Sequence, residues 1–126
     1  MTEIPDDRPL TPEEHALTRW LLERGMPEAA GYLPQLDRAR VVARCGCGCA
    51  SVDFAVGGRR PPSGAALEVL ADYQWRDAAG RLGGVFPFAK DGLLAGLEVW
   101  SIDGEAATDR LPSLAVLEPL GTHHAA

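Results

Sequence analysis

Apolar positions near the start of the chain recur with the spacing of a helix. A threonine, a proline and two acids lead into the pattern. Thr11 and Glu14 form a capping box, and the proline suits the first helical position. Leu17 and Leu21 follow on one face. Gly25 is a natural stop, so we predict a helix over residues 12–24.

A weaker helical pattern covers residues 27–39. Gly31 and Pro34 interrupt it, so this stretch predicts either a second helix or two short turns. The first ten residues show no period and are predicted to be a loose N-terminal arm. Residues 121–126 are predicted to be a frayed tail.

From Arg40 onward the pattern changes from helical to alternating, which is typical of strands. The alternating pattern occurs in five stretches: 41–45, 52–56, 67–75, 82–88 and 93–102. Turns and segments rich in glycine or proline separate these stretches. The dipeptide Asp91-Gly92 lies between the last two and favours a two-residue hairpin loop. We therefore predict about five antiparallel strands.

These elements predict an α+β fold in a single domain of residues 1–126, because the helical patterns precede the strands and do not alternate with them. Two N-terminal helices are expected to pack on one face of an antiparallel meander sheet of about five strands. The pattern shows no internal repeat and no domain boundary.

Charge and composition narrow the partners that we expect. Twelve basic and 18 acidic residues give a net charge of -6, which argues against nonspecific nucleic-acid binding. No run of apolar residues has the length of a membrane helix. The first ten residues lack the basic start and apolar stretch of a signal peptide, so we expect a cytoplasmic protein.

Three cysteines alternate with glycines in Cys45-Gly46-Cys47-Gly48-Cys49, the most specific motif in the chain. An odd number of cysteines argues against a disulfide framework. A hairpin with its loop at Gly46-Cys47-Gly48 would place Cys45 and Cys49 directly opposite each other, with Cys47 at the tip. That spacing suits a disulfide or two ligands of one ion.

The cysteine motif leaves three interpretations open, namely a site for one zinc ion, a thiol redox site and a tight turn with no chemistry. A structural zinc ion takes four ligands, and three thiolates supply only three of them. The fourth would come from His15, His123, His124 or a carboxylate. None of these histidines has a recognised zinc-finger spacing relative to the cysteines.

No constellation typical of catalysis is recognisable, so we expect a protein that is not an enzyme. Glu68, Asp72 and Glu98 alternate with apolar residues and are predicted to point outward from their strands. Together with nearby aromatic residues they form a hypothetical acidic surface. We therefore predict a small protein-binding module, of the immunity or inhibitor type, that contacts a partner with a basic face. A zinc or thiol-redox domain is the alternative.

The order of these motifs also resembles a family of small bacterial proteins of about this length from GC-rich genomes. The resemblance depends on the run Cys45-Gly46-Cys47-Gly48-Cys49-Ala50-Ser51-Val52-Asp53-Phe54, on the Thr11–Glu14 helix start and on the two Asp-Gly turns. It covers nearly the whole chain and implies a stand-alone α+β domain. It implies no activity and no functional residues.

Overall fold

The structure is a computed structural model that describes residues 3–120. Within that range the protein consists of an antiparallel sheet with one helix of 12 residues. The helices are α1 (Pro12–Glu23) and α2 (Leu33–Leu36), and 3-10 turns cover Ala29–Tyr32 and Leu114–Val116. The strands are β1 (Glu3–Pro9), β2 (Ala39–Cys45), β3 (Val52–Val56), β4 (Leu67–Val69), β5 (Tyr73–Arg76), β6 (Leu82–Lys90), β7 (Leu93–Ser101) and β8 (Glu118–Pro119).

The eight strands form one sheet in the order β1-β2-β3-β7-β6-β5-β8, and β4 pairs with β6 beside β5. The long β6–β7 hairpin lies at the centre. Its loop confirms the predicted turn, because Asp91 and Gly92 both have positive φ angles, of 53° and 76°. The chain leaves β3 and returns to it only with β7, so the sheet is not a simple meander.

The predicted fold of two N-terminal helices on about five strands is therefore wrong. The second helical pattern yields only a 3-10 turn and the four residues of α2. The predicted strand 67–75 is two strands, β4 and β5, which both pair with β6. The longest helix has 12 residues, and no helix in the described part of the chain is long and apolar enough to cross a membrane.

The expected loose arm is also incorrect, because residues 3–9 form β1. This strand pairs with β2 through backbone hydrogen bonds and carries two prolines and three acids, so it has no apolar alternation that a sequence pattern would reveal. Ion pairs across the two strands support it. Arg40 lies 3.0 Å from Asp7, and Arg44 lies 3.5 Å from Asp6.

The predicted start of α1 is confirmed. The Thr11 hydroxyl accepts a hydrogen bond from the Glu14 N–H at 3.1 Å, and the Glu14 carboxylate accepts one from the Thr11 N–H at 2.8 Å. Arg8 of β1 donates two hydrogen bonds to the same carboxylate, at 2.8 and 3.0 Å. A single buried acid thus caps the helix and joins it to the edge strand of the sheet.

The sheet has two different faces. We call the face beneath the helices the covered face, because α1 and α2 pack on it with residues such as Phe54, Val85 and Leu97 in one apolar cluster. The alternate residues of the same strands point to the other side, which we call the open face. It presents Asp53 and Glu98 together with aromatic side chains. The predicted cysteine turn lies at the end of β2, where this open face meets the loop.

Candidate metal centre

The three cysteines lie in a turn that follows β2. The Gly48 N–H donates to the Cys45 carbonyl at 3.3 Å and closes the turn. Gly48 has a φ of 90°, a conformation that glycine adopts without the strain of a side chain. Because Gly46 and Gly48 have no side chains, the thiols of Cys45 and Cys47 are the only side chains of the turn before Cys49.

The predicted three-residue hairpin loop is wrong in its register. The Cys45 N–H donates to the Ser51 carbonyl at 3.3 Å, so Ser51 and not Cys49 lies opposite Cys45. The loop therefore spans residues 46–50. A contact from outside the hairpin contributes to this register, because the Ala50 N–H donates to the Thr108 carbonyl at 2.7 Å.

The turn brings the three sulfur atoms together. All three Sγ atoms lie within 4.8 Å of one another, and those of Cys45 and Cys47 are 2.6 Å apart. Zinc–thiolate bonds of about 2.3 Å in a tetrahedron place two sulfurs about 3.8 Å apart. The cluster is therefore compatible with one zinc ion after small side-chain rotations.

Hydrogen bonds within the turn make the pKa values of the Cys45 and Cys47 thiols differ. Cys47 is exposed, and its pKa is lowered by hydrogen bonds from the thiols of Cys45 and Cys49 and from the Cys49 N–H. The hydrogen bond to Cys47 raises the pKa of Cys45 to about 11. Of these two thiols, Cys47 therefore forms its thiolate first. A metal ion that binds all three sulfurs must displace the remaining protons, so its affinity rises with pH.

A cleft of about 160 Å³ adjoins Cys45 on the open face, and three carboxylates line it: those of Glu3, Asp53 and Glu98. Burial raises the pKa of Asp53, and the negative charge of Glu3 raises it further, while Arg60 at 3.6 Å has the opposite effect. Burial likewise raises the pKa of Glu98. Three carboxylates and the Cys45 thiol therefore line one cleft at this corner of the sheet.

The predicted partner-binding acids do not share a surface. Glu68 pairs with Ala89, whose side chain belongs to the apolar cluster, whereas Glu98 pairs with Phe86. Positions 86 and 89 of β6 point to opposite faces. Glu68 therefore lies at the covered side and Glu98 on the open face. The two acids do not lie on one face of the sheet, and partner binding through them stays a prediction.

Asp72, the third predicted acid, lies in the break between β4 and β5. Its Oδ1 atom is buried and has no hydrogen-bond partner among residues 3–120, and burial raises its pKa. Its backbone carbonyl accepts a hydrogen bond from the Leu120 N–H at 2.8 Å. This position suits the edge of the sheet rather than an exposed acidic patch.

The histidines add no ligand to the cysteine cluster in the described part of the chain. His15 lies in α1 with its Nε2 3.4 Å from an Asp37 oxygen, and it is not one of the groups that converge with the thiols. His123 and His124 lie outside the described residues. The sequence pattern carries no signal that Glu3 and Asp53 lie near Cys45, because only the strand pairings create that proximity.

Comparison of the chain with protein-family models, with curated proteins and with solved structures gave no match in any of the three. The resemblance to a bacterial family therefore stays a prediction. The functional interpretation rests on the geometry of the cysteine turn and the cleft beside it.

Proposed function

We propose that this protein is a zinc-binding domain in which the thiolates of Cys45, Cys47 and Cys49 hold one zinc ion. The convergence of the three sulfurs within 4.8 Å carries the proposal. Thiolates are soft ligands that select zinc and Cu(I) among the common metals. Zinc is the better fit, because the cleft beside the sulfurs contains carboxylate oxygens, which zinc also accepts.

The position of the turn gives the ion a structural role. Cys45 ends β2, Cys49 leads into β3, and β1 pairs with β2 at the same end. An ion on these residues would join the end of β2 to the loop that leads into β3. Because such a site forms only in the folded protein, the free energy of metal binding stabilises the folded state.

Native mass spectrometry with zinc titration tests the proposal, with Gly48→Ala as the informative variant. Alanine keeps all three thiols but disfavours the φ of 90° that closes the turn. Gly58→Ala is the matched control, because Gly58 has a φ of 79° in a loop without cysteines and has no atom within 4 Å of the added methyl group.

We expect one zinc ion per chain in the wild-type protein and in Gly58→Ala. Binding should be weaker in Gly48→Ala and lost when all three cysteines are replaced by serine. Two outcomes contradict the proposal. One is a wild-type protein that stays free of metal at excess zinc, and the other is a triple serine variant that binds the ion as tightly as the wild type.

A second candidate function is reversible thiol–disulfide exchange, favoured by the 2.6 Å separation of the Cys45 and Cys47 sulfurs. An exposed thiolate of lowered pKa beside a second thiol is typical of redox-sensing cysteines. With glutathione disulfide, the Cys47 thiolate attacks one sulfur and releases a glutathione thiolate. The deprotonated Cys45 then attacks the Cys47 sulfur and releases the second glutathione, which leaves a Cys45–Cys47 disulfide.

Mass spectrometry after equilibration in glutathione buffers tests this second function. The Cys49→Ser variant should lose two hydrogens on oxidation, as the wild-type protein does, because Cys49 is not used. The double variant Cys45→Ser/Cys49→Ser, which has no second thiol near Cys47, should stop at the mixed disulfide with glutathione. If the Cys49→Ser variant stays reduced at oxidising glutathione ratios, the exchange does not use the Cys45–Cys47 pair.

A further inference from the structure

We infer that the carboxylate of Glu3 is the fourth ligand of the zinc ion, so that the complete site has three sulfur ligands and one oxygen ligand. This inference rests on the proposed zinc site and assigns the donor that the three cysteines lack. The strand β1 brings this acid from the start of the chain to the cysteine turn.

The strand register places Glu3 next to Cys45. The two residues are directly opposite in the antiparallel β1–β2 pair. Directly opposite residues point to the same face of a sheet, with Cα atoms about 4.5–5.5 Å apart. Both side chains line the same cleft on the open face. A glutamate has the length to reach an ion bound at the neighbouring sulfur.

The other oxygen donors of the cleft are less suitable. Ser51 lies opposite Cys45 on the β3 side, but its hydroxyl donates to the Val99 carbonyl at 3.1 Å and accepts from the Val99 N–H at 2.8 Å. Asp53 is two positions further along β3, at a diagonal distance of about 7–8 Å from Cys45. Glu98 lies opposite Ser51 on β7, one strand further from Cys45, so its backbone is about 10 Å from that of Cys45.

The charges around Glu3 suit a ligand of a thiolate site. Three thiolates and a carboxylate around Zn²⁺ carry an excess of two negative charges, so nearby cations stabilise the site. Arg60 has a nitrogen 3.7 Å from a Glu3 oxygen, and Arg44 lines the same cleft. Glu3 is half exposed and also faces the carboxyl group of Asp53, so it reaches the ion by turning from Arg60 and Asp53 toward Cys45.

Cobalt-loaded protein tests the assignment, because Co²⁺ replaces Zn²⁺ and its absorption reports the ligand set. The informative variant is Glu3→Gln, and Glu98→Gln is the matched control, with the same chemical change in the same cleft. We expect Glu3→Gln to weaken zinc and cobalt binding by at least about tenfold. Its visible cobalt bands should change, while the thiolate charge-transfer band persists. Glu98→Gln should match the wild type in affinity and spectrum.

A second variant tests the position by gain of a ligand. Under reducing conditions, Glu3→Cys should add a fourth thiolate, which strengthens the charge-transfer band and tightens binding. Unchanged cobalt affinity and spectrum in Glu3→Gln, or a charge-transfer band in Glu3→Cys no stronger than in the wild type, would overturn the Glu3 assignment and leave the zinc proposal intact. A wild-type protein that binds neither cobalt nor zinc would overturn both.

Discussion

The covered and open faces of the sheet differ most clearly at two neighbouring residues of β3. Phe54 points to the covered face and is 1% exposed, within the apolar cluster beneath α1 and α2. Asp53 points the other way, into the cleft beside Glu3 and the cysteine turn. One strand thus contributes a core residue and a site residue at consecutive positions.

The alternation of side chains along each strand therefore places the apolar core and the candidate site on opposite faces of the sheet. The covered face gains free energy from buried apolar area. The open face keeps partly buried carboxylates whose pKa values are raised, which means that their charged forms are disfavoured in the folded protein.

The largest change in the free energy of unfolding is expected from a substitution on the covered face. Phe54→Ala should lower the free energy of unfolding by about 3–5 kcal/mol, because it removes a fully buried ring from the cluster. Urea unfolding with a chelator present measures it. The neighbouring Asp53→Asn should change the same quantity by less than about 1 kcal/mol. Equal losses at the two positions would contradict the separation of the faces.

Added zinc should stabilise the protein through the cysteine turn at the open face, and this stabilisation should not depend on the covered face. At free zinc a hundredfold above the dissociation constant, the free energy of unfolding should rise by about 2.7 kcal/mol. Urea unfolding with and without zinc measures the increase. It should persist in Phe54→Ala and disappear when the three cysteines are replaced by serine. An increase that survives in the triple serine variant would place the bound ion elsewhere.

The Arg8–Glu14 contact at the junction of β1 and α1 should have a slightly smaller effect. Glu14→Gln should lower the free energy of unfolding by about 1.5–3 kcal/mol at neutral pH, because the charged hydrogen bonds from Arg8 are lost. The exposed Glu13→Gln is the matched control. Urea unfolding of both variants at several pH values provides the measurement.

The pH dependence at Glu14 has a definite sign. Burial alone would raise the pKa of Glu14, but the hydrogen bonds from Arg8 and the Thr11 backbone outweigh burial and leave it lowered. Its stabilising contribution is therefore complete above the ordinary glutamate pKa of about 4.3 and is lost as the pH falls through the lower folded value. A Glu14→Gln deficit that grows on acidification would contradict this assignment.

The smallest effect, at Asp53, should have the opposite sign. Its raised pKa means that the folded protein binds a proton more readily than the unfolded chain. With chelator present, Asp53→Asn should be more stable than the wild type at neutral pH, by less than about 1 kcal/mol. The wild type should recover this difference as the pH falls through the raised pKa toward about 3.9. Unfolding titrations that show a less stable Asn variant at neutral pH would contradict this.

Features that depend on adjacent residues were predictable from the sequence. The start of α1 is encoded by Thr11 and Glu14, whose hydrogen bonds close within one turn of backbone. The Asp91-Gly92 loop is encoded by two residues that tolerate positive φ angles. The cysteine cluster was predictable as a group of nearby thiols for the same reason, since five consecutive residues bring them together.

Features that depend on distant pairing were not predictable in this way. The strand β1 lacks an apolar period and is held by backbone hydrogen bonds and by ion pairs to β2. The pairing of β3 with β7, and not with β4, joins residues more than forty positions apart. The predicted acidic surface of Glu68, Asp72 and Glu98 depends on strand alternation alone, which does not specify the order of the strands.

Local backbone preferences and side-chain chemistry set the start of the helix, the turn of the central hairpin and the positions of the thiols, so these features can be predicted from the order of the residues. Long-range strand pairing, by contrast, is what makes Glu3, Cys45, Asp53 and Glu98 line one cleft. That arrangement arises because four strands from distant parts of the chain pair in a particular register. Register is set by the burial of the opposite face.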